Sequence, residues 1–392
     1  MLPEGWGLIS TSNLIVQGSV LITIIYAMVD HYTEIKMPKT SLIIVSLCML
    51  TFTVIPIAFY NDVSVEIGGK QRSIVLYICM FIIGAFSMLS DVLFIPYLKN
   101  LPEIYFQAYF LGMGMSCIGP GVMSVVQDGS SYDCVPIAPN STELEPQFRK
   151  IRYSVEVYYI IVFLWSLAGT ISFLLIHLCR EKIDMLWYGA SYSEGNEKKV
   201  KELEKEEIVE ELIEEKGEFD VEDWMLMVCV AIVTGTLNVL MPSIQSFVAL
   251  PYSTQTYFWS LILGAGIQPI VSIVAHFWPV YSTSILTTCT LLAMSVLGLC
   301  FAIAFQSPHP WLADTSFGSV TVVCLITFVF GLAYYCKSAL FEALSHRSPT
   351  DESKHRRLLF AGFMGQIGAA ISTAIIFPSV NIFELFDSVP PC

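Results

Sequence analysis

The sequence predicts an all-α protein that crosses a membrane many times, and its composition and its apolar patterning both favour this class. Of its 392 residues, 55% are hydrophobic and only 14% are charged, whereas a typical soluble domain has about 25% charged residues. The mean hydropathy is +0.65, and long stretches with almost no charge recur along the chain. A chain with so little polar surface needs membrane lipid around it. The formal charge of −14 argues against nucleic acid as a partner.

Ten stretches are long and apolar enough to be spanning helices, since a span needs about 20 apolar residues. Each stretch is apolar on all sides and shows no helical periodicity, so its length is the feature that predicts a spanning helix. The predicted spans are 8–29, 41–60, 73–98, 104–126, 154–178, 224–248, 256–276, 282–305, 318–340 and 358–379. We expect two bundles of five helices, 1–178 and 224–392, joined by a loop over 179–223.

The positions of lysine and arginine predict how the spans are oriented. Fourteen of these residues lie in the odd-numbered loops, and five lie in the even-numbered loops and the tails. Because basic loops stay in the cytoplasm, we expect the odd loops to be cytoplasmic and both termini to be extracellular. Asn140 begins an Asn-Ser-Thr glycosylation sequon in the fourth loop, which is on the predicted outer face.

The loop over 179–223 carries most of the negative charge. Between Arg180 and Trp224 there are 16 acidic and 7 basic residues. Such a pattern is typical of a solvated, salt-bridged linker between two bundles. A regulatory site for a partner is the alternative interpretation.

The sixth span has the polar residues that most suggest a function. Thr234, Asn238 and Gln245 are four and seven residues apart, so a regular α-helix would place them on one face. Pro242 removes the hydrogen bond to the carbonyl group of Asn238. These groups need protein or cavity water at membrane depth. They either line the path of a solute or form interhelical hydrogen bonds that hold the helices together.

Two charged residues are predicted near the inner face of the membrane. Asp91 lies in the third span, where an ionised carboxylate is costly unless it is paired or hydrated. Lys337 lies at a similar depth in the ninth span. It either extends its amine to the membrane interface or forms an ion pair with Asp91 that closes the inner end of a path.

Enzymatic chemistry is not indicated by the sequence. It contains no nucleophile elbow, phosphate-binding loop, dinucleotide fingerprint or zinc signature. We therefore expect no catalytic residues, no cofactor and no metal ion. The residues alone indicate a multi-span carrier or channel for a polar organic solute.

Several motifs occur together in an order that resembles one family. The sequence is similar to the eukaryotic riboflavin transporters, a family of solute carriers, from Leu2 nearly to the C-terminus. The motifs are Leu2-Pro3-Glu4-Gly5-Trp6, Phe94-Ile95-Pro96-Tyr97-Leu98, Phe110-Leu111-Gly112-Met113-Gly114, Pro242-Ser243-Ile244-Gln245-Ser246-Phe247, Leu250-Pro251-Tyr252, Tyr335-Cys336-Lys337 and Gln366-Ile367-Gly368. The run from Pro242 to Tyr252 is the most specific of them.

The resemblance implies a major-facilitator-like fold, which has eleven helices in the family. We expect this chain to lack the first of them, which would precede Leu2, and to keep the other ten. A carrier with five plus five inverted repeats is the alternative fold. This chain departs from the family pattern at Asp91, where asparagine is usual, and at Met113, where glutamine is common. Both changes alter hydrogen bonding toward a ligand with many donors and acceptors.

The function implied by the resemblance is uptake of riboflavin across the plasma membrane by alternating access, with the chain acting as a monomer. A riboflavin-binding receptor that does not transport, or a truncated isoform, is the alternative. The flavin needs polar partners for its pyrimidine edge and apolar walls for its benzenoid edge. We expect polar contacts from Asp91, Thr234, Asn238 and Gln245. We expect walls from Phe94, Met113 and Tyr252.

Overall fold

The protein is built mainly of long helices. A computed structural model describes residues 8–32, 39–61, 63–67, 70–99, 103–127, 132–136, 144–148, 151–188, 219–313, 315–348 and 351–387. The helices are α1 (Leu8–Tyr32), α2 (Lys39–Tyr60), α3 (Ile74–Lys99), α4 (Glu103–Gln127), α5 (Val155–Tyr188), α6 (Val221–Gly235), α7 (Met241–Ala249), α8 (Thr254–Phe277), α9 (Thr283–Ala304), α10 (Ser316–His346) and α11 (Asp351–Asn381). A π turn over Thr236–Leu240 joins α6 to α7.

The predicted membrane class is confirmed. In the described residues, eight helical stretches are long and apolar enough to cross a membrane, and α6, the π turn and α7 form one of them. Shorter apolar stretches, Ile74–Ser90 and Ile118–Gln127, lie in α3 and α4. The exact number of ten spans stays a prediction.

Two loops contain short antiparallel hairpins, about which the sequence analysis makes no prediction. Strand β1 (Val65–Ile67) pairs with β2 (Lys70–Arg72), and β3 (Tyr132–Pro136) pairs with β4 (Leu144–Phe148). In addition, α5 extends to Tyr188, ten residues beyond the predicted end of its span. No glycine or proline interrupts this extension, so the helix continues past the apolar stretch.

The sixth span is broken at the level that Pro242 predicts. Proline has no backbone N–H group, so it cannot satisfy the carbonyl group four residues earlier. The chain responds with the π turn, in which the N–H group of Met241 bonds the carbonyl group of Thr236. Such turns insert one residue into a helix and often occur at functional sites. Residues after the turn are therefore rotated by about 100° relative to a regular α-helix.

Helix contacts link the two parts of the chain at a few places. In the first part, α2 packs against α3 and α5, and α1 packs against α3. In the second part, α6 packs against α9, α10 and α11, and α8 packs against α10. The two parts meet where α4 contacts α8 and where α1 contacts α11, α7 and the π turn. The predicted bundle boundaries at 178 and 224 stay predictions.

The closest helix packing in the second part involves small residues of α6 and α11. A Cβ atom added to Gly368 would overlap the carbonyl group of Ala231, and one added to Gly235 would lie 2.9 Å from the carbonyl oxygen of Gly368. Small residues let helix backbones approach this closely in membranes. The glycines therefore allow the close approach of α6 to α11.

An ion-pair cluster joins the starts of α6 and α11 to the end of α10. Asp223 is 1% exposed and accepts from Arg347 Nε at 3.1 Å and from Arg357 Nη2 at 2.9 Å. Arg347 also pairs with Glu222. Burial alone would lower the pKa of Arg347, but its hydrogen bond and charge interaction with Glu222, together with Asp223, raise the pKa above its ordinary value.

Removing the buried carboxylate of this cluster should destabilise the second part of the chain. Asp223→Asn would leave two guanidinium groups without their common charged acceptor, at a cost of roughly 2–3 kcal/mol. We expect a lower Tm for the purified protein in detergent. Glu66→Gln is the matched control, since Glu66 is exposed in β1. Equal melting curves for the two variants would contradict the structural role of Asp223.

A methyl group at Gly368 should also destabilise the fold. Gly368→Ala would force α6 and α11 apart, at a cost of about 1–3 kcal/mol. Gly362→Ala in the same helix is the control, because a Cβ atom there meets nothing within 4 Å. Thermal unfolding measures both variants. A Tm of Gly368→Ala at or above that of Gly362→Ala would show that the close approach is absent.

Candidate functional site

A set of side-chain hydrogen bonds connects the start of α1 to α7 and α11. Asn13 Nδ2 donates to Ser243 Oγ at 3.0 Å. Asn381 Nδ2 donates to Ser10 Oγ at 2.7 Å, and Thr11 Oγ1 donates to Asn381 Oδ1 at 3.4 Å. We call these five residues the α1 seam. The seam joins helices from opposite ends of the sequence at the face predicted to be extracellular.

The spacing of polar residues in α1 explains why the seam forms there. Ser10, Asn13 and Gln17 are three and seven residues apart, which places them within about 60° of one another around the helix. Another side of α1 packs on α3, where a Cβ atom at Gly84 would lie 2.7 Å from Ser19 Oγ. One face of α1 therefore packs against α3 in the first part of the chain, and its polar face forms hydrogen bonds with α7 and α11 in the second part.

Some buried polar atoms have no hydrogen-bond partner in the part of the chain that the structure describes. Those on α1, on the sixth span and on α11 are Gln17 Oε1, Thr23 Oγ1, Thr234 Oγ1, Ser246 Oγ and Gln366 Oε1. Gln366 also donates from Nε2 to Met88 Sδ of α3 at 3.3 Å, and sulfur is a weak acceptor. Unsatisfied groups of this kind are costly at membrane depth unless a ligand or water binds them.

The three polar residues of the sixth span do not form one continuous stripe. Thr234 is 4% exposed, and its hydroxyl oxygen would lie 3.1 Å from a Cβ atom at Gly365. Asn238 is exposed. Gln245 is 2% exposed and donates to Ser260 Oγ of α8 at 3.0 Å. The π turn between Thr234 and Gln245 explains the difference, because it rotates Gln245 away from the face that a regular helix would give it.

Asn238 is the residue of this group that faces open space. Its neighbours Leu237 and Val239 are 4% and 0% exposed, whereas its own amide is accessible. An amide in a span is expensive when it faces lipid and is usually found in a water-filled cavity. The π turn that holds Asn238 contacts both α1 and α11.

Two residues predicted to form the apolar walls of the site, Phe94 and Tyr252, make contacts within the protein. The Phe94 ring lies 5.4 Å from that of Phe173 in an edge-to-face arrangement between α3 and α5. The Tyr252 hydroxyl donates to the carbonyl oxygen of Trp311 at 2.6 Å, linking the α7–α8 turn to the loop before α10. Partial burial raises the pKa of the Tyr252 phenol. Their contact with a substrate stays a prediction.

Other predicted residues cannot be placed at the site. The backbones of Asp91 and Met113 lie in α3 and α4, but their side chains lie outside the described residues, as does Asn140. Lys337 lies nine residues before the end of α10 and is partly buried. The ion pair of Asp91 with Lys337 therefore stays a prediction.

The sequence analysis missed the polar residues of α1. Asn13, Gln17 and Ser10 lie in the first predicted span, and their three- and seven-residue spacing is the signal that would have found them. Chemically, the site offers neutral amides and hydroxyls, which suit a polar, uncharged ligand. In the described residues, no group of three or more His, Cys, Asp or Glu side chains could hold a metal ion.

Comparison with known proteins gives the family. The profile of "Solute carrier family 52, riboflavin transporter" matches residues 1–388. The chain is 28% identical to riboflavin transporter rft-1 of Caenorhabditis elegans and 26% identical to riboflavin transporter member 3-A of Danio rerio, with all of this chain and 92% of each relative aligned. Human member 1 is 24% identical, with 91% of its length aligned. The chain therefore belongs to solute carrier family 52, the riboflavin transporters.

Proposed function

We propose that this protein carries riboflavin into cells across the plasma membrane by alternating access. The observation that supports this most strongly is the family match, which extends over residues 1–388 and includes every described helix. The relatives are named as riboflavin transporters. Carriers of this family move a solute and do not transform it, in agreement with the sequence prediction that the chain is not an enzyme.

The chemistry of the site supports a flavin as the substrate. Riboflavin is uncharged at neutral pH, and its pyrimidine edge alternates acceptors with a donor. The exposed amide of Asn238 and the unpartnered hydroxyl of Thr234 are suited to such an edge. We propose the substrate contacts that the sequence predicts: Asp91, Phe94, Met113, Thr234, Asn238, Gln245 and Tyr252.

The architecture within this proposal is major-facilitator-like, with two bundles that move against each other. The contacts of α1 with α11, α7 and the π turn, and of α4 with α8, support it, because contacts between the two parts have to slide or separate when the bundles rock. The path then lies within one chain, so a monomer is sufficient. Both termini are extracellular in this proposal, in accordance with the distribution of basic residues.

The transport function is tested by uptake of labelled riboflavin. Cells that express the chain should show saturable uptake that excess unlabelled riboflavin abolishes. Cells with the empty vector are the control, and surface labelling confirms that the protein reaches the plasma membrane. Binding of riboflavin at the cell surface without uptake would contradict transport and indicate a receptor.

The role of the exposed amide is tested by Asn238→Ala. Loss of one hydrogen bond to the substrate should lower uptake at limiting riboflavin roughly three- to tenfold. The control is Asn61→Ala, since Asn61 lies at the end of α2 and donates to the carbonyl oxygen of Ala58. Unchanged uptake by Asn238→Ala, at equal surface expression, would remove Asn238 from the substrate site.

A further inference from the structure

Gln17 of α1 has a buried group that no part of the proposed mechanism uses. Its amide oxygen Oε1 is buried and has no hydrogen-bond partner among the described residues. It lies on the polar face of α1, one turn beyond Asn13. A buried acceptor without a donor costs free energy, and binding sites are where such a cost is offset by a ligand.

The direction of the helices determines what lies opposite Gln17. The starts of α6 and α11 are joined by Asp223 and Arg357, so these two helices run in the same direction. The end of α11 is joined to the start of α1 by Asn381 and Ser10. The span formed by α6, the π turn and α7 therefore runs opposite to α1.

This arrangement puts Gln17 and Asn238 at nearly the same depth. The depth of each residue is counted along its helix from the hydrogen bond between Asn13 and Ser243. Gln17 is four residues further along α1, and Asn238 is five residues earlier in the opposing span. At about 1.5 Å per residue, Gln17 lies about 6 Å and Asn238 about 7.5 Å below that bond. Because α1 contacts the π turn directly, the two amides lie on contacting elements just beneath the seam.

We propose that Gln17 is a specificity-determining residue that recognises the pyrimidine edge of the flavin, with Oε1 accepting a hydrogen bond from the N3–H group of the ring. This inference rests on the proposed function. The N3–H group is the donor between the two carbonyl groups of that edge. An amide acceptor opposite it rejects analogues in which the donor is missing, since the buried acceptor is then left unpaired.

The test compares riboflavin with 3-methylriboflavin, in which a methyl group replaces the N3 hydrogen. Binding to the purified protein is measured by flavin fluorescence, and uptake is measured in cells. The unaltered chain should bind 3-methylriboflavin about tenfold more weakly than riboflavin. Gln17→Met keeps the length of the side chain but has no amide acceptor, so it should bind both compounds with the same affinity, about tenfold below that of the unaltered chain for riboflavin.

Two further variants separate recognition from folding. Gln17→Glu keeps an acceptor oxygen at the same position and should retain discrimination against the methylated compound. Gln255→Met is the matched control, because Gln255 is exposed in the first turn of α8. If Gln17 were only structural, Gln17→Met would lower the Tm and would weaken the binding of both compounds equally, so that the ratio of their affinities would not change. That result would overturn the inference.

The outcomes distinguish this inference from the proposed function. Discrimination that is the same in the unaltered chain and in Gln17→Met would overturn the role of Gln17 and leave riboflavin transport standing. Discrimination that Gln17→Met abolishes, in a chain that binds but does not take up riboflavin, would support the role of Gln17 and contradict transport. Absence of riboflavin binding by the unaltered chain would overturn both.

Discussion

Polar groups at membrane depth must find their partners inside the protein, because lipid offers none, and the way the sixth span meets this constraint determines much of the structure. Pro242 leaves one carbonyl group without its usual donor, and in the π turn beside it the backbone hydrogen bonds are shifted by one residue. That shift exposes Asn238 while it rotates Gln245 onto α8. A single proline thereby separates the amide that faces open space from the amide that holds helices together.

The strength of packing around the broken span is uneven. On one side, close contact of Gly235 and Gly368 and the ion pairs of Asp223 tie α6 to α11 along much of its length. On the other side, α1 is joined through a few neutral hydrogen bonds, with net contributions of about 1 kcal/mol each. In the proposed transport cycle, the span and α11 would therefore move together, and the α1 seam is the contact that opens.

Composition and the lengths of apolar stretches were enough to predict the class and the approximate positions of the helices. They could not predict the π turn, because a proline in a span is compatible with a kink, a break or a widened turn. The prediction that Thr234, Asn238 and Gln245 share one face assumes a regular α-helix, and the π turn removes that regularity. The α5 extension was missed because charged residues past Cys179 end an apolar span without ending a helix.

The site was predictable only where a residue is unusual in its local setting. Asn238 beside a proline is conspicuous in an apolar stretch, whereas Asn13 and Gln17 lie near the start of the first span and look like interfacial residues until α7 and α11 are placed against them. Partners hundreds of residues apart, such as Ser10 and Asn381, have no signature in one sequence. The predicted role of Met113 depends on family resemblance alone, whereas Asp91 is also conspicuous as a carboxylate within an apolar stretch.

In the proposed transport cycle, the α1 seam closes one end of the riboflavin path and must open each time the substrate passes. The most direct measurement is uptake by a double variant, Asn13→Cys with Ser243→Cys, whose side chains would replace a 3.0 Å hydrogen bond. A short, reducible thiol cross-linker should abolish riboflavin uptake by the double variant, and a reducing agent should then restore it. The cross-linker should leave uptake by each single variant unchanged. Full uptake by the cross-linked protein, with cross-linking confirmed by mass spectrometry, would contradict the account.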